Sequence, residues 1–361
     1  MSNASKPRLL VDLQAIEHNF LAVKRLVGEK VEVSAVVKSD AYGLGVDPVV
    51  SSLASAGCKS FFAADVDEAV RIRRRLPDAD IFVLSGYRAR RKAQYRHDRL
   101  VPVCNTLGEA RTISSTGYSY ALNLETGFSR LGLNQSDVCR FIHLNQRSPV
   151  LVMSHLACAD DPRHPLNALQ RDRFIGIAGL LGNVRRSLAA SSGLLLGAAY
   201  RFDQVRIGSA IFGIGNADFK PNSFLPVIRL RARIVDTRLF QAGATIGYMA
   251  TFRTSRPTWI AVIAAGYAHG FPWSLANRMS VEIGSHRAPV VGRVSMEYAA
   301  IDVTDIPAAL RRPGLWVELI STSQPVETLA GPAATIPQEL LTRLGRSSQR
   351  RYRTNSAGEQ T

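Results

Sequence analysis

Short apolar runs rich in Val, Ile, Leu and Phe recur through the first half of the chain, and between them apolar residues fall at helical spacing. LLVDL (9–13) opens the series as a strand. Asp12 stands where a helix N-cap belongs, because Leu13, Ile16, Phe20, Val23 and Val27 behind it share one helical face. The alternation continues through VEVSAVV, which ends on Lys38, then SFFAA (60–64), IFVLSG (81–86), LVPVCN (100–105), YALNLE (120–125) and VLVMSHLA (150–157). A helix around LQRDRFIGIAGLL follows, and LLLGAA (194–199) reads as a further strand leading to DQVRIG. Strands this uniformly apolar are buried on both faces, as in a parallel sheet. Strand–helix units repeated about eight times therefore predict an α/β fold, a (β/α)8 TIM barrel over residues 1–225. A doubly wound open sheet has the same local pattern, and periodicity does not separate the two.

From Pro226 the texture changes. VIRLRARIVDTRLF alternates apolar and basic residues at period two, and TWIAVIAAGYAHGF, MSVEIG, VGRVSMEYAAIDVTD and WVELIS follow, parted by Gly, Pro and Ser turns. This predicts a separate, mostly-β domain over residues 226–361.

Composition changes this picture little. With 46% hydrophobic residues the chain is globular rather than disordered. MSNASKPRLLVDL lacks the apolar core of a signal peptide, and no run is long and uncharged enough to span a bilayer, so a cytoplasmic protein is expected. Cys58, Cys104, Cys139 and Cys158 lack the spacing of a zinc site or a disulfide framework, so no metal is expected. Lys plus Arg outnumber Asp plus Glu by 45 to 29, concentrated in RIRRRLPDAD (71–80) and YRARRKAQYRHDR (87–99). Neither run carries an aromatic stacking pattern or a helix-turn-helix signal, so a solvated basic face is expected rather than a nucleic-acid site.

The candidate chemistry lies at strand ends, where β/α barrels gather functional side chains. Lys38, Arg130, His155, Ser191, Ser192 and Arg206 all stand at or just after such ends. Taken singly, a lysine reaching water, an arginine in a surface turn or a hydrogen-bonded core histidine is ordinary. Their recurrence at comparable strand ends reads as one site. A partly desolvated lysine among cations loses its proton and becomes nucleophilic, which suits imine chemistry. Gly208 and Ser209 can bring backbone N–H groups to a phosphate, with Ser191 and the Tyr42 phenol as further donors. Lysine, phosphate donors and an arginine in place of a metal point to pyridoxal 5'-phosphate.

Eight segments occurring in order then carry a family resemblance along nearly the whole chain: VVKSDAYGLG, LETGFSRLG, MSHLACAD, SLAASSG, VRIGSAIFG, GYMATF, AAGYAHGF and VGRVSMEYAAIDVTD. The sequence resembles the bacterial alanine racemases, which are fold-type III pyridoxal-phosphate enzymes. The resemblance implies that Lys38 carries the cofactor and serves as one of two proton-transfer bases. Tyr267 is then the second base, on the opposite face and donated by the other subunit of a homodimer. Arg130 binds the substrate carboxylate with the backbone at Met296 assisting, Arg206 faces the pyridine nitrogen, and His155 lies between Arg206 and Tyr267. Tyr42, Ser191, Gly208, Ser209 and Tyr352 hold the phosphate. Arg206 and a charged His155 are expected to supply positive potential that lowers the pKa of the two bases.

The chain departs from the family pattern at several places. Asn123 stands where the family carries a carbamylated lysine, Leu44 where His is usual, Ala190 where Asn is usual, and Gln338 where Tyr is usual. His269 and Glu297 both replace Asp. None of these removes a proposed base. The implied activity is interconversion of L- and D-alanine, supplying D-alanine for peptidoglycan. A serine or broad-specificity racemase of the same fold is the alternative. A non-catalytic pyridoxal-phosphate-binding barrel is disfavoured by the β domain and Tyr267.

Overall fold

The computed structural model describes residues 6–144, 147–215 and 224–354. Part of the N-terminal stretch read above for a targeting signal lies outside them. No helix among the described residues is long and apolar enough to cross a membrane. The described chain divides into two compact units. One holds Ala15–Ala41 and Gly45–Leu225, and the other holds the residues up to Gln14, Tyr42–Leu44 and those from Pro226 onward.

The larger unit is the expected barrel. Eight strands pair in parallel, in the order Arg186–Ser187, Leu151–Met153, Ala121–Asn123, Leu100–Cys104, Asp80–Val83, Ser60–Ala63, Glu32–Val36, Gln204–Ile207. Hydrogen bonds from Asp203 N to Arg186 O and from Arg206 N to Ala189 O, both 3.1 Å, bring the two ends of the series together. Phe62, Phe82, Val101, Val103, Ala121, Leu151 and Met153 pack as one buried cluster, with the Phe62 and Phe82 rings stacked 4.5 Å apart. A filled interior leaves chemistry only at the strand ends.

Two assignments from periodicity are corrected. LLLGAA forms no strand. Ser192–Leu196 and Ala198–Tyr200 are 3-10 turns parted at Gly197, whose φ of 93° a strand does not accommodate. The barrel strand there is instead the two-residue Arg186–Ser187, too short to leave an apolar signature. LLVDL is a strand, Arg8–Asp12, but it joins the other unit, pairing antiparallel with Ile228–Phe240 and parallel with Gln349–Arg353. Asp12 caps the next helix, Leu13–Val27, accepting from Gln14 N at 3.0 Å.

In the β unit the 13-residue strand Ile228–Phe240 bends at a bulge between Ile234 and Asp236, so it pairs with Trp316–Ile320 along one part and Thr258–Ile263 along the other. With Ala299–Asp302, His286–Val291 and Ser280–Ile283 these strands close a ring. Within the basic runs some arginines have local partners. Arg73 donates to the carbonyls of Leu76, Pro77, Asp98 and Arg99, while Arg71 and Arg91 pair with aspartates.

Candidate active site

Directly after Lys38 the backbone turns left-handed at four successive residues, none of them glycine. Ser39, Asp40, Ala41 and Tyr42 have φ of 59°, 57°, 52° and 56°. Left-handed residues cost roughly 1–2 kcal/mol each, so such a turn needs its surroundings to hold it. Glu68, in the first turn of helix Val66–Arg75, is one support: Oε1 accepts from Asp40 N at 2.7 Å and Oε2 from Ala64 N at 2.9 Å. Asp40 closes the turn from within, its carbonyl accepting from Gly45 N and its Oδ1 from Val46 N, each at 2.9 Å.

The Lys38 side chain emerges beside this turn, exposed at the surface of the single chain. Enough protein surrounds its amine that lost hydration lowers the pKa, Arg130 lowers it further, and Glu68 opposes both. The Arg130 guanidinium lies 4.3 Å over the Phe128 ring, a cation–π contact that orients it. Asn123 does not serve that purpose: its Nδ2 donates to Asn105 Oδ1 at 3.0 Å and to Leu131 O at 3.2 Å.

Arg206 occupies the last barrel strand and is 4% exposed. It donates through Nη1 to Ser187 O at 2.8 Å and Ser187 Oγ at 2.6 Å, and through Nη2 to Ser154 O. These partners are neutral, and no carboxylate pairs with Arg206 among the described residues. Burial pushes its pKa down to about 10, which still leaves it charged at neutrality.

His155 packs its ring 5.4 Å from Phe128. Burial first, then Arg206, Arg130 and Lys38, push its pKa down to about 3. The expectation that His155 adds positive potential is therefore corrected: the ring is neutral at neutral pH. Burial lowers the Lys38 pKa most, and of the charges beside it Arg130 lowers it and Glu68 raises it.

Ser191, Gly208 and Ser209 come together after the last two barrel strands. Ser191 Oγ accepts from Gly208 N at 3.3 Å and Ala210 N at 3.2 Å, which leaves its own proton to donate elsewhere. Tyr42 and Tyr352 belong to the other unit, as do Tyr267 and Met296. The Tyr352 hydroxyl donates to Leu44 O at 2.9 Å. Tyr267 N donates to Ser295 O at 3.1 Å and Ala268 N to Met296 O at 2.9 Å, so the second proposed base and Met296 share one pair of turns. A Cβ at Gly266 would lie 2.3 Å from Met296 O, so only glycine permits this approach. Tyr267 and Met296 are both exposed, at 42% and 56%.

Sequence reading missed Glu68, Phe128, Ser154 and Ser187. Asp65-Val66-Asp67-Glu68 does have capping-box spacing, and Asp65 caps the helix. That signal places Glu68 at a helix start but not its bond to Asp40.

The residues of the barrel unit suit pyridoxal phosphate. A buried guanidinium without an anion matches a ring acceptor, an amine of lowered pKa matches a carbonyl, and the Ser191 hydroxyl with the turn at Gly208 matches a phosphate.

Comparisons with known proteins agree. The chain matches the alanine racemase N-terminal domain over residues 11–216 and its C-terminal domain over 227–352. It is 46% identical over 349 residues to a biosynthetic alanine racemase of Mesorhizobium japonicum, covering 95% of this chain and 88% of the relative. Identity to an alanine racemase of Rhodospirillum rubrum is 39%, covering 95% of both. The crystal structure of the Bartonella henselae alanine racemase, with covalently bound pyridoxal phosphate, superposes at a TM-score of 0.91 with 31% identity, covering 96% of this chain and 99% of that one. Both domains in order, and relatives of one name matched along most of their length, make this chain a member of the alanine racemase family.

Proposed function

We propose that the protein interconverts L-alanine and D-alanine with pyridoxal phosphate. The observation that carries the reading is Lys38, its pKa lowered, at the strand-end mouth of a barrel that also buries the anion-free Arg206. When bound through Lys38, pyridoxal phosphate supplies the electron sink that makes the substrate's Cα hydrogen acidic. Arg130, braced on Phe128, binds the substrate carboxylate, and the Met296 backbone assists. Lys38 Nζ serves one face of Cα and Tyr267 Oη the other. Racemisation needs a proton removed on one side and returned on the opposite side, which two opposed bases achieve and one does not. Arg206 faces the ring nitrogen and, because a guanidinium does not give up its proton readily, leaves that nitrogen unprotonated. Neutral His155 lies beside it. Tyr42, Ser191, Gly208, Ser209 and Tyr352 hold the phosphate.

The exposed Tyr267 and Met296 support a homodimer in which each site draws Tyr267 from the partner subunit. Relatives named biosynthetic support a role in supplying D-alanine for peptidoglycan, and the absence of a long apolar helix among the described residues is compatible with a cytoplasmic location.

The test is a panel of L-amino acids given to the purified protein with added pyridoxal phosphate. Alanine is expected to racemise, with a visible absorbance band of the bound cofactor that Lys38→Ala abolishes. Binding with no change in optical rotation for any amino acid would sink the reading. Faster turnover of serine would overturn the assignment to alanine while keeping the reaction.

A further inference from the structure

We infer that His269 and Glu297 form a positioning pair for Tyr267, a tether built from two residues where the resembled family carries aspartates. The inference rests on the two-base reading above.

Tyr267 begins a single 3-10 turn, Tyr267–His269, and Met296 lies in the facing turn, where Ser295 N donates to Tyr298 O at 2.8 Å. Two backbone hydrogen bonds join these turns, and neither fixes the swing of one about the other. The His269 ring adds a third attachment from a buried position, 6% exposed. Its Nδ1 accepts from Gly266 N at 3.3 Å, so the ring proton sits on Nε2, which lies 3.2 Å from Glu297 Oε2. One imidazole thus holds the residue before Tyr267 by one nitrogen and the residue after Met296 by the other. Burial lowers the His269 pKa, Lys6 acts in the same direction, and Glu297 opposes them; the neutral tautomer is the one both bonds require. An aspartate at position 269 could accept from Gly266 N but, being acceptor-only when ionised, has no N–H to donate to a carboxylate at position 297. The pair therefore sets where the Tyr267 phenol is carried, without touching substrate itself.

Two measurements test this, on Glu297→Ala, Glu297→Gln and, as reference, Tyr267→Phe. Glu297 is partly exposed, so its variants are expected to fold. In the cofactor-free protein, hydrogen exchange followed by mass spectrometry should show the amides of 266–270 exchanging roughly tenfold faster in Glu297→Ala. In the cofactor-loaded protein in deuterium oxide, Tyr267→Phe should impair α-hydrogen exchange of one alanine enantiomer. Glu297→Ala should slow that same enantiomer roughly tenfold and spare the other, because misplacing one base leaves the opposite face served. Glu297→Gln keeps an acceptor oxygen and should recover most of both effects. Unchanged amide exchange, equal slowing of both enantiomers, or a glutamine variant as impaired as alanine would each overturn the pair's role while leaving the two-base reading intact. If Tyr267→Phe itself affects both enantiomers alike, the two-base reading falls and takes this inference with it.

Discussion

Glu68 Oε1 accepts a hydrogen bond of 2.7 Å from the backbone N–H of Asp40, tying the helix after the second barrel strand to the left-handed turn after the first. A carboxylate accepting two backbone N–H groups is hard to replace, since each loses its partner when the side chain is cut. Glu68→Ala should lower stability by about 2 kcal/mol, read from urea midpoints, and Glu68→Gln by less. A midpoint unchanged in the alanine variant would show that the turn is held by other contacts.

Arg130 depresses the Lys38 pKa by repulsion between like charges. On the proposed role of Lys38, loading of the cofactor-free protein with pyridoxal phosphate depends on its unprotonated amine, so the rate should rise with pH through the lowered Lys38 pKa, below the ordinary 10.5. In Arg130→Gln the profile should move to higher pH. Stopped-flow absorbance across a pH series measures both, and coincident profiles would remove Arg130 from the account.

His155 carries a pKa of about 3 against an ordinary 6.5. Between those values the unfolded chain binds a proton that the folded chain refuses, so the stability this group contributes is complete above pH 6.5 and is lost as pH falls toward 3. His155→Gln should therefore lose less stability than the parent between about pH 7 and about pH 4, in paired denaturation curves. Parallel losses would place the acid sensitivity elsewhere.

Subunit mixing tests the proposed sharing of the site between two chains. Lys38→Ala and Tyr267→Phe proteins, each inactive alone, should regain part of the activity when mixed, because one of the two composite sites in a mixed dimer holds both intact residues. No recovery, with exchange shown by tagged subunits, would place Tyr267 in the same chain as its Lys38.

Most barrel strands were readable because uniformly apolar runs are local signals: Lys38 and His155 stand just past two of them, whereas Arg206 lies within its strand and Arg130 and Ser191 lie in the segments that follow Ala121–Asn123 and the unsignalled Arg186–Ser187. LLVDL was readable as a strand but not as a member of the β unit, because its partners, at Ile228–Val11 and Tyr352–Val11 pairings, lie far along the chain. The LLLGAA segment misled because leucine content carries no information about the positive φ at Gly197.

By itself the sequence determined which residues are chemically able to act: an amine after an apolar strand, a phenol in a glycine-flanked turn, and arginines that do not readily give up a proton. Folding alone decided their charge states and supports. His155 is neutral, Arg206 is charged among carbonyls, and Asp40 holds its left-handed turn through Glu68, since pKa and strain depend on burial and on neighbours distant in sequence.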